Sequence, residues 1–177
     1  YIEALAQSVQ THRAKHGTAE KLLMSFHGIP EEYFHAGDPY HCECHKTGRL
    51  LANALQLTDE QWQISFQSRL GPKQWLHPYT DHTLEELAKS GVESMQVVCP
   101  GFSADCLETL EEIAMENRDT FLEAGGKRYE YIPCLNADPA HIDMLAGLAE
   151  QHMQGWLPVN DEPAEILRRA KALGAKQ

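Results

Sequence analysis

Short apolar runs alternate with longer, helix-like segments from one end of the chain to the other. Four of the short runs are rich in branched and aromatic residues or alternate between apolar and polar side chains, which predicts β-strands. These strands cover residues 21–26, 62–67, 94–99 and 128–132. Between them, apolar residues recur every three or four positions, as on the buried face of an amphipathic helix. We expect helices over 1–16, 42–56, 83–90 and 105–116, another starting at Pro139, and a short basic one over 164–173.

The order of these elements predicts the fold class. Strands separated by helices form βα repeats, which place the strands parallel and the helices on both faces of the sheet. We therefore expect an α/β fold with a doubly wound four-stranded parallel sheet. One domain is expected over 1–157, with a linker and a short helix over 158–177. Because the chain starts at Tyr1 rather than at a methionine, we expect it to be a piece of a longer protein.

Composition narrows the possible functions. The net charge of −11 argues against a nucleic-acid partner, which needs a basic patch, and against polybasic anchoring to anionic lipid. No apolar run approaches the ~20 residues of a transmembrane helix, so no transmembrane segment is expected. The five cysteines are scattered and odd in number, so we do not expect a disulfide framework. A reducing cytoplasm fits this pattern, and a peripheral position at the membrane stays open.

Two half-sites stand out where predicted strands end. His27 directly follows the first strand and precedes Gly28 and Pro30, and Glu108 lies in the helix after the third strand. Parallel strands carry their ligand sites at the carboxyl edge of the sheet, so both side chains are expected at one edge. An imidazole that faces a carboxylate can hold a metal ion or move protons. A purely structural histidine at a strand end is the alternative.

Acidic residues continue along the helix that carries Glu108. Asp105, Glu108 and Glu112 are spaced three and then four residues apart, which places them on one face of a regular helix. Such a file of carboxylates could bind or carry cations or protons. The alternative is helix capping, because acidic side chains favour helix N-termini and Asp105 with Glu108 resembles a capping box.

Two other groups are ambiguous. Cys42 and Cys44 lie between His41 and His45, but their spacing is poor for a zinc site and the segment starts a predicted helix. Exposed, unligated thiols are the alternative. Trp75 lies in a long loop and could form one wall for a flat ligand or simply anchor that loop.

Several motifs, taken together, resemble the ferrochelatase family, and its proteobacterial branch most closely. They are Leu22 to Pro30 with Gly37 to Tyr40, Phe66 to Pro72 with Trp75 to Asp81, Cys99 to Glu112, and Cys134 to Asn136. The resemblance covers roughly residues 20–155, and the motifs occur in the family's order. It implies a lyase that inserts Fe²⁺, as a substrate, into protoporphyrin IX at the last step of haem synthesis and releases two protons.

The resemblance also implies an architecture and partners. The family has two similar α/β domains with the porphyrin between them, and this chain looks like the C-terminal domain. We therefore expect protoporphyrin IX, ferrous iron and a missing N-terminal domain as partners, and an isolated fragment without activity. Whether the porphyrin is protoporphyrin or coproporphyrin stays open.

The motifs assign roles to individual residues. By resemblance, His27 and Glu108 are the catalytic and metal-site pair, and Asp105 and Glu112 are supporting acids that lead away from it. Trp75 and Phe102 match aromatic residues beside the macrocycle, and Ile29 is expected beside them.

Two departures from the family pattern matter. Cys106 occupies a position where many relatives carry a histidine. Some relatives bind a [2Fe–2S] cluster through a cysteine-rich tail, but residues 135–177 contain no cysteine, so we expect no iron–sulfur cluster. Two other functions remain open: a chelatase for a cobalt or sirohydrochlorin-type tetrapyrrole, and a tetrapyrrole- or metal-binding module without turnover.

Overall fold

The sheet has the predicted architecture. A computed structural model describes residues 1–156 and 162–176. Its four strands are β1 (Lys21–His27), β2 (Trp62–Gln67), β3 (Ser94–Val98) and β4 (Arg128–Ile132). All pairs are parallel, and the spatial order is β2-β1-β3-β4. The prediction of an α/β fold with a four-stranded parallel sheet is therefore confirmed.

Helices connect the strands at nearly the predicted positions. They are α1 (Ile2–His16), α2 (Glu31–His35), α3 (Tyr40–Ala54), α4 (Thr80–Lys89), α5 (Asn117–Glu123), α6 (Pro139–Met153) and α7 (Pro163–Ala172). A 3₁₀ turn covers Asp59–Gln61, and a π-helix over Glu108–Glu116 leads directly into α5. Asp138 begins α6, as its position before Pro139 predicts, and accepts a hydrogen bond from the backbone N–H of Ala140 at 2.9 Å.

The backbone forms two compact units, Tyr1–Met144 and Leu145–Gln177. The first unit contains the whole sheet, and the second contains most of α6 together with α7. The expected boundary at 157 and most of the expected linker fall on 157–161, which lie outside the described residues. The division into 1–157 and 158–177 stays a prediction.

Alternation along the strands produces two cores, one on each face of the sheet. In β1, Met24 and Phe26 enter a core with residues of α1 and α3, whereas Leu23 enters the other core with residues of α4, the π-helix and α5. Successive side chains of a strand point to opposite faces, so a strand buried on both faces is largely apolar, and in β1 Ser25 is the one fully buried polar residue. The doubly wound arrangement follows directly from this pattern.

The strand order places a crevice beside His27. The chain leaves β1 toward β2 on one side and then returns to β3 on the other side of β1. The connections that follow β1 and β3 therefore diverge, and open α/β sheets bind ligands at such a switch point. His27 ends β1, and the segment that leads to Glu108 follows β3.

The predicted helix over 105–116 is wrong in its start and its type. The regular part starts at Glu108 and is a π-helix, so Asp105 lies in the preceding loop and not on a shared helix face. The apolar spacing of this segment predicts that Leu107 and Leu110 pack against the sheet, but they are on the surface, 68% and 50% exposed. Hydrogen bonds from neighbouring elements, described below, hold this segment in its wider form.

Within residues 1–156 and 162–176, no helix combines the length and the apolar character that crossing a bilayer requires.

Candidate functional site

A cleft of about 730 Å³ opens at the carboxyl ends of the strands. His27 lies on one side of it, the end of β2 and the following loop form its floor and rim, and the π-helix forms the facing wall. His27 and Glu108 both line this cleft, so the predicted juxtaposition at one sheet edge is present.

The ring of His27 is held with one nitrogen free. Its Nδ1 lies 2.6 Å from the backbone oxygen of Gly28. A carbonyl oxygen can only accept, so Nδ1 carries the proton and Nε2 presents a lone pair. A backbone carbonyl on Nδ1 is a common way to fix the tautomer of a histidine that ligates or transfers a proton through Nε2. His27 can therefore act as a ligand or as a base.

Two aromatic rings flank this imidazole. The ring centroids of Trp75 and Phe102 are each 6.2 Å from that of His27. Gly28 makes this approach possible, because a Cβ there would lie 3.2 Å from both the Trp75 ring and the Gln67 carbonyl. Trp75 lines the cleft, and its indole N–H donates to the backbone of Leu70 at 3.1 Å. It is thus both a loop anchor and a cleft wall.

The carboxyl group of Glu108 does not have the raised pKa that a proton acceptor needs. The residue is half-buried, but its carboxyl group faces solvent, and a hydrogen bond from the Cys106 thiol lowers its pKa. Its own backbone N–H and the nearby imidazole of His27 lower the pKa further. Glu108 is therefore ionised at neutral pH.

Glu112 is fixed by the end of β2. One carboxylate oxygen accepts from the backbone N–H of Ser68 at 2.7 Å, and the other accepts from the Ser68 hydroxyl. Ser68 has a φ of 61°, a left-handed conformation that is uncommon for serine. These two hydrogen bonds account for that conformation and hold the π-helix against the sheet.

The facing wall is strongly acidic. The cleft is lined by five acids, Asp81, Glu108, Glu111, Glu112 and Glu116. Among the described residues that line it, Arg69 is the one lysine or arginine. Its guanidinium is already paired with Asp81 at 2.5 Å and lies 4.1 Å from the centre of the Tyr79 ring. The cleft therefore attracts cations.

Asp105 has a different role from the one predicted. It does not line the cleft, and its carboxylate accepts from Tyr131 at 2.6 Å and from Asn136 at 2.7 Å. Burial would raise its pKa, but hydrogen bonds from Tyr131, Asn136 and Cys134 outweigh burial and lower it. Its distance of 3.3 Å to the Thr109 hydroxyl links it to the start of the π-helix. Asp105 thus anchors a loop and does not extend a file of acids from Glu108.

Other predicted residues lie outside the cleft wall. Ile29 is partly buried and packs against the core formed with α1 and α3. Cys42 is exposed and Cys44 is buried, so the two thiols do not converge on one site. Within the described part of the chain, no group of three or more histidine, cysteine or acidic side chains is arranged to hold a metal ion.

Sequence reasoning missed several residues of the cleft. Glu116 lies four residues after Glu112, so the same spacing argument could have found it. Gln67 and Ser68 end β2 at the same sheet edge as His27, and that position was the available signal. Their partners in the π-helix could not have been inferred from spacing.

Comparison with known proteins agrees with this geometry. The family model described as Ferrochelatase matches residues 1–153. A ferrochelatase of Marinobacter nauticus is 55% identical over 170 residues, which are 96% of this chain and 46% of the relative. The ferrochelatase of Pseudoalteromonas atlantica is 59% identical, and the match covers 88% of this chain and 43% of that relative. The ferrochelatase of Nitrosococcus oceani is 53% identical, and the match covers 100% of this chain and 50% of that relative. The chain spans about half the length of the curated relatives it matches.

A solved structure supports the fold independently. A CbiX protein of cobalamin (vitamin B12) biosynthesis from Marinobacter aquaeolei superposes with a TM-score of 0.50 at 15% identity. The match covers 76% of this chain and 97% of the other. At this identity the similarity concerns the fold alone.

Proposed function

Because this chain belongs to the ferrochelatase family, we propose that the protein containing it inserts Fe²⁺ into protoporphyrin IX to form haem. Iron is a substrate of this reaction, and two pyrrole protons leave as the metal enters. The chain covers about half of its relatives, so the activity belongs to a protein that also contains a second, N-terminal half.

One observation carries the proposal. The free Nε2 of His27 and the ionised carboxylate of Glu108 line the same cleft, at the switch point of the sheet and beside an acidic wall. An imidazole and a carboxylate are suitable ligands for a divalent first-row metal ion. The lone pair on Nε2 can also accept a proton.

The geometry suggests a division of roles. Glu108 stays ionised, so we assign it the attraction and alignment of the incoming cation. His27 has its Nδ1 proton on a backbone carbonyl and a free Nε2, so we assign it the removal of a pyrrole proton or contact with the iron. Glu112 and the other acids of the wall raise the local concentration of cations.

The porphyrin needs an apolar wall as well. Trp75 and Phe102 flank His27 and supply flat, apolar surface, and Ile29, two residues after His27 in the segment that follows β1, is proposed as a further porphyrin contact. An acidic wall does not favour the carboxylates of a porphyrin. We therefore propose that the N-terminal half supplies the second wall and the cationic groups that the porphyrin carboxylates need.

The test is metal insertion by a full-length protein that contains this sequence. We expect haem formation from Fe²⁺ and protoporphyrin IX, and a loss of about 10²–10⁴-fold in His27→Ala, the range typical of a proton-transfer group. His152→Ala, which changes an exposed histidine in α6, serves as the control and is expected to be neutral. Near-normal turnover in His27→Ala would remove His27 from the mechanism. Insertion of Co²⁺ into a sirohydrochlorin-type tetrapyrrole, without haem formation, would favour the related chelatase instead.

We also propose a cytoplasmic location, in line with the five free thiols. Structural disulfides are typical of oxidising compartments, and thiols are maintained in reducing ones. Absence of an iron–sulfur cluster stays a prediction, which iron and sulfide analysis of the purified protein would test.

A further inference from the structure

The end of β2 is connected to the backbone of Glu108 by a single buried side chain. Gln67 is 2% exposed, and its Nε2 donates to the backbone oxygen of Glu108 at 2.8 Å. A backbone carbonyl can only accept, so this contact fixes the orientation of the amide. The Oε1 of Gln67 must then face the interior, where the Ser25 hydroxyl lies 2.8 Å away.

The Oε1 of Gln67 also lies 3.5 Å from the Cys99 thiol, and its bond from Ser25 belongs to a directional chain. The Ser25 hydroxyl is 2.8 Å from that of Thr80, which is 2.9 Å from that of Ser65. Each hydroxyl has one proton, and Ser25 uses its proton on Gln67. Thr80 must therefore donate to Ser25, and Ser65 to Thr80. The chain of donors runs from Ser65 through Thr80, Ser25 and Gln67 to the carbonyl of Glu108.

This chain lies in the rigid part of the molecule. Ser25 and Ser65 are in the adjacent strands β1 and β2, are paired in register, and are fully buried, while Thr80 begins α4 and is 1% exposed. Hydrogen bonds in such surroundings are costly to leave unmade, because a buried donor or acceptor without a partner loses its solvation. The amide of Gln67 therefore has one satisfied arrangement.

The position of Glu108 matters because its carboxylate must face His27. His27 is the last residue of β1 and is paired in register with Gln67 of β2. The N–H of the next residue, Gly28, donates to the backbone oxygen of Gln67 at 2.7 Å. One residue thus contacts the backbone on both sides of the cleft, through its main chain beside His27 and through its side chain at Glu108.

We infer that Gln67 is a positioning residue that sets the distance between His27 and the start of the π-helix, and so aligns Glu108 for metal insertion. This inference rests on the proposed function and assigns Gln67 a role that it performs through its hydrogen bonds to the backbone on both sides of the cleft. Ser68, the next residue, fixes the second turn of the same helix through Glu112.

The test compares Gln67→Met with Ser65→Ala in the full-length protein. Methionine has a similar size but cannot bond to Ser25 or Glu108. Ser65→Ala removes the far end of the chain of donors and leaves the bond from Gln67 to Glu108 in place. Both variants lose a buried hydrogen bond, so both are expected to have lower thermal stability.

Turnover is expected to separate the two variants. Misplacement by about 1 Å can cost about 10²-fold in rate, so we expect Gln67→Met to lose about 10² in kcat with the KM for porphyrin changed less than about twofold. We expect Ser65→Ala to keep kcat within about threefold. If Gln67→Met folds poorly, Gln67→Asn takes its place in the test. This variant keeps the amide but is one methylene shorter, and we expect the same loss of kcat from it.

A second measurement does not depend on turnover. In the isolated chain, hydrogen exchange of the π-helix amides is expected to be at least about tenfold faster in the Gln67 variants than in Ser65→Ala, because a helix end held by fewer bonds opens more often. Equal kcat and equal exchange in the Gln67 and Ser65 variants would overturn the inference. If the unmodified protein fails to insert iron, the proposed function fails, and the exchange rates alone decide the role of Gln67.

Discussion

At the scale of single residues, the cleft contains two kinds of carboxylate. Glu112 has both oxygens occupied by Ser68, whereas Glu108 faces solvent and is near His27. Two residues of the same type, one helical turn apart, therefore have different surroundings. The difference comes from their hydrogen-bond partners and not from their position in a helix.

Replacement of each glutamate by glutamine tests this distinction. Glu108→Gln removes the charge that faces the cleft, and we expect a loss of about 10²-fold or more in the kcat/KM for Fe²⁺ of the full-length protein. Glu112→Gln is expected to have a smaller effect on kcat/KM and to lower stability, because its amide cannot accept both bonds from Ser68. Small and equal effects on kcat/KM would instead favour a purely structural role for both acids.

Asp105→Asn tests the anchoring role of Asp105. The pKa of this carboxyl is lower in the folded chain than in the unfolded chain, so its ionised form stabilises the fold. This contribution to the free energy of unfolding is fully present above the unfolded pKa of about 3.9, and it is lost as pH falls through the folded pKa. We expect Asp105→Asn to lose about 1–3 kcal/mol of stability at pH 7 and progressively less below about pH 4. Urea unfolding of the isolated chain at several pH values measures this. A loss that is constant with pH would contradict the ionic origin of the effect.

At the scale of elements, the π-helix is the clearest departure from regular structure. The backbone N–H of Cys106 donates to the Thr109 hydroxyl at 3.0 Å near its start, and Asn117 donates to the Glu112 carbonyl at 2.7 Å near its end. π-Helices are rare and occur frequently at functional sites. Here the wider helix brings four glutamates, Glu108, Glu111, Glu112 and Glu116, to the cleft.

The packing of α3 on β2 depends on a close approach at Gly48. A Cβ there would lie 2.5 Å from Cδ1 of Ile64 and 3.2 Å from the Trp62 ring. We expect Gly48→Ala to lower the free energy of unfolding by about 1 kcal/mol or more, because the buried Ile64 must move. Ile64→Val removes this Cδ1. We therefore expect Ile64→Val to lower the free energy of unfolding less in the Gly48→Ala variant than in the unmodified chain.

Gly147→Ala in α6 is the matched control for this experiment. Apart from its chain neighbours and the backbone of its own helix, no heavy atom of the described residues lies within 4 Å of the added Cβ, so the higher helix propensity of alanine should stabilise the chain by about 0.5–1 kcal/mol. Denaturant unfolding measures both changes. A gain in stability in Gly48→Ala comparable to that in Gly147→Ala would show that the close approach is unimportant.

At the scale of the whole molecule, the proposed function makes the cleft one half of a larger site. Leu70 is 81% exposed and Leu107 is 68% exposed, and both line it. Exposed apolar side chains grouped on one surface are typical of interaction sites. In relatives of about twice this length, the additional half is the expected occupant of this surface.

The isolated chain should therefore behave as half of a site. We expect it to bind porphyrin weakly, to lack chelatase activity, and to self-associate through the cleft surface. Size-exclusion chromatography with light scattering measures the association, and Leu70→Ser with Leu107→Ser is expected to reduce it. A clean monomer with tight porphyrin binding would mean that the site is complete within these 177 residues.

The sequence by itself determined the strands, most of the helices and the edge of the sheet at which His27 and Glu108 lie. The alternation of strands and helices predicts the parallel sheet, because βα repeats place successive strands parallel, with the helices on both faces. The motifs around His27 and Glu108 predict the family, which the comparisons confirm. These features depend on residues close together in sequence, and for that reason patterns along the chain reveal them.

Only the tertiary structure decided which polar groups meet across the cleft. The bond from Gln67 to Glu108 joins residues 41 positions apart, and that from Ser68 to Glu112 joins residues 44 apart. The start of the π-helix, the loop position of Asp105 and the low pKa of Glu108 all depend on hydrogen-bond partners in or near the segment that follows β3. Periodicity records which face of an element is buried, but it contains no information on the partner that a buried or half-buried polar group finds there.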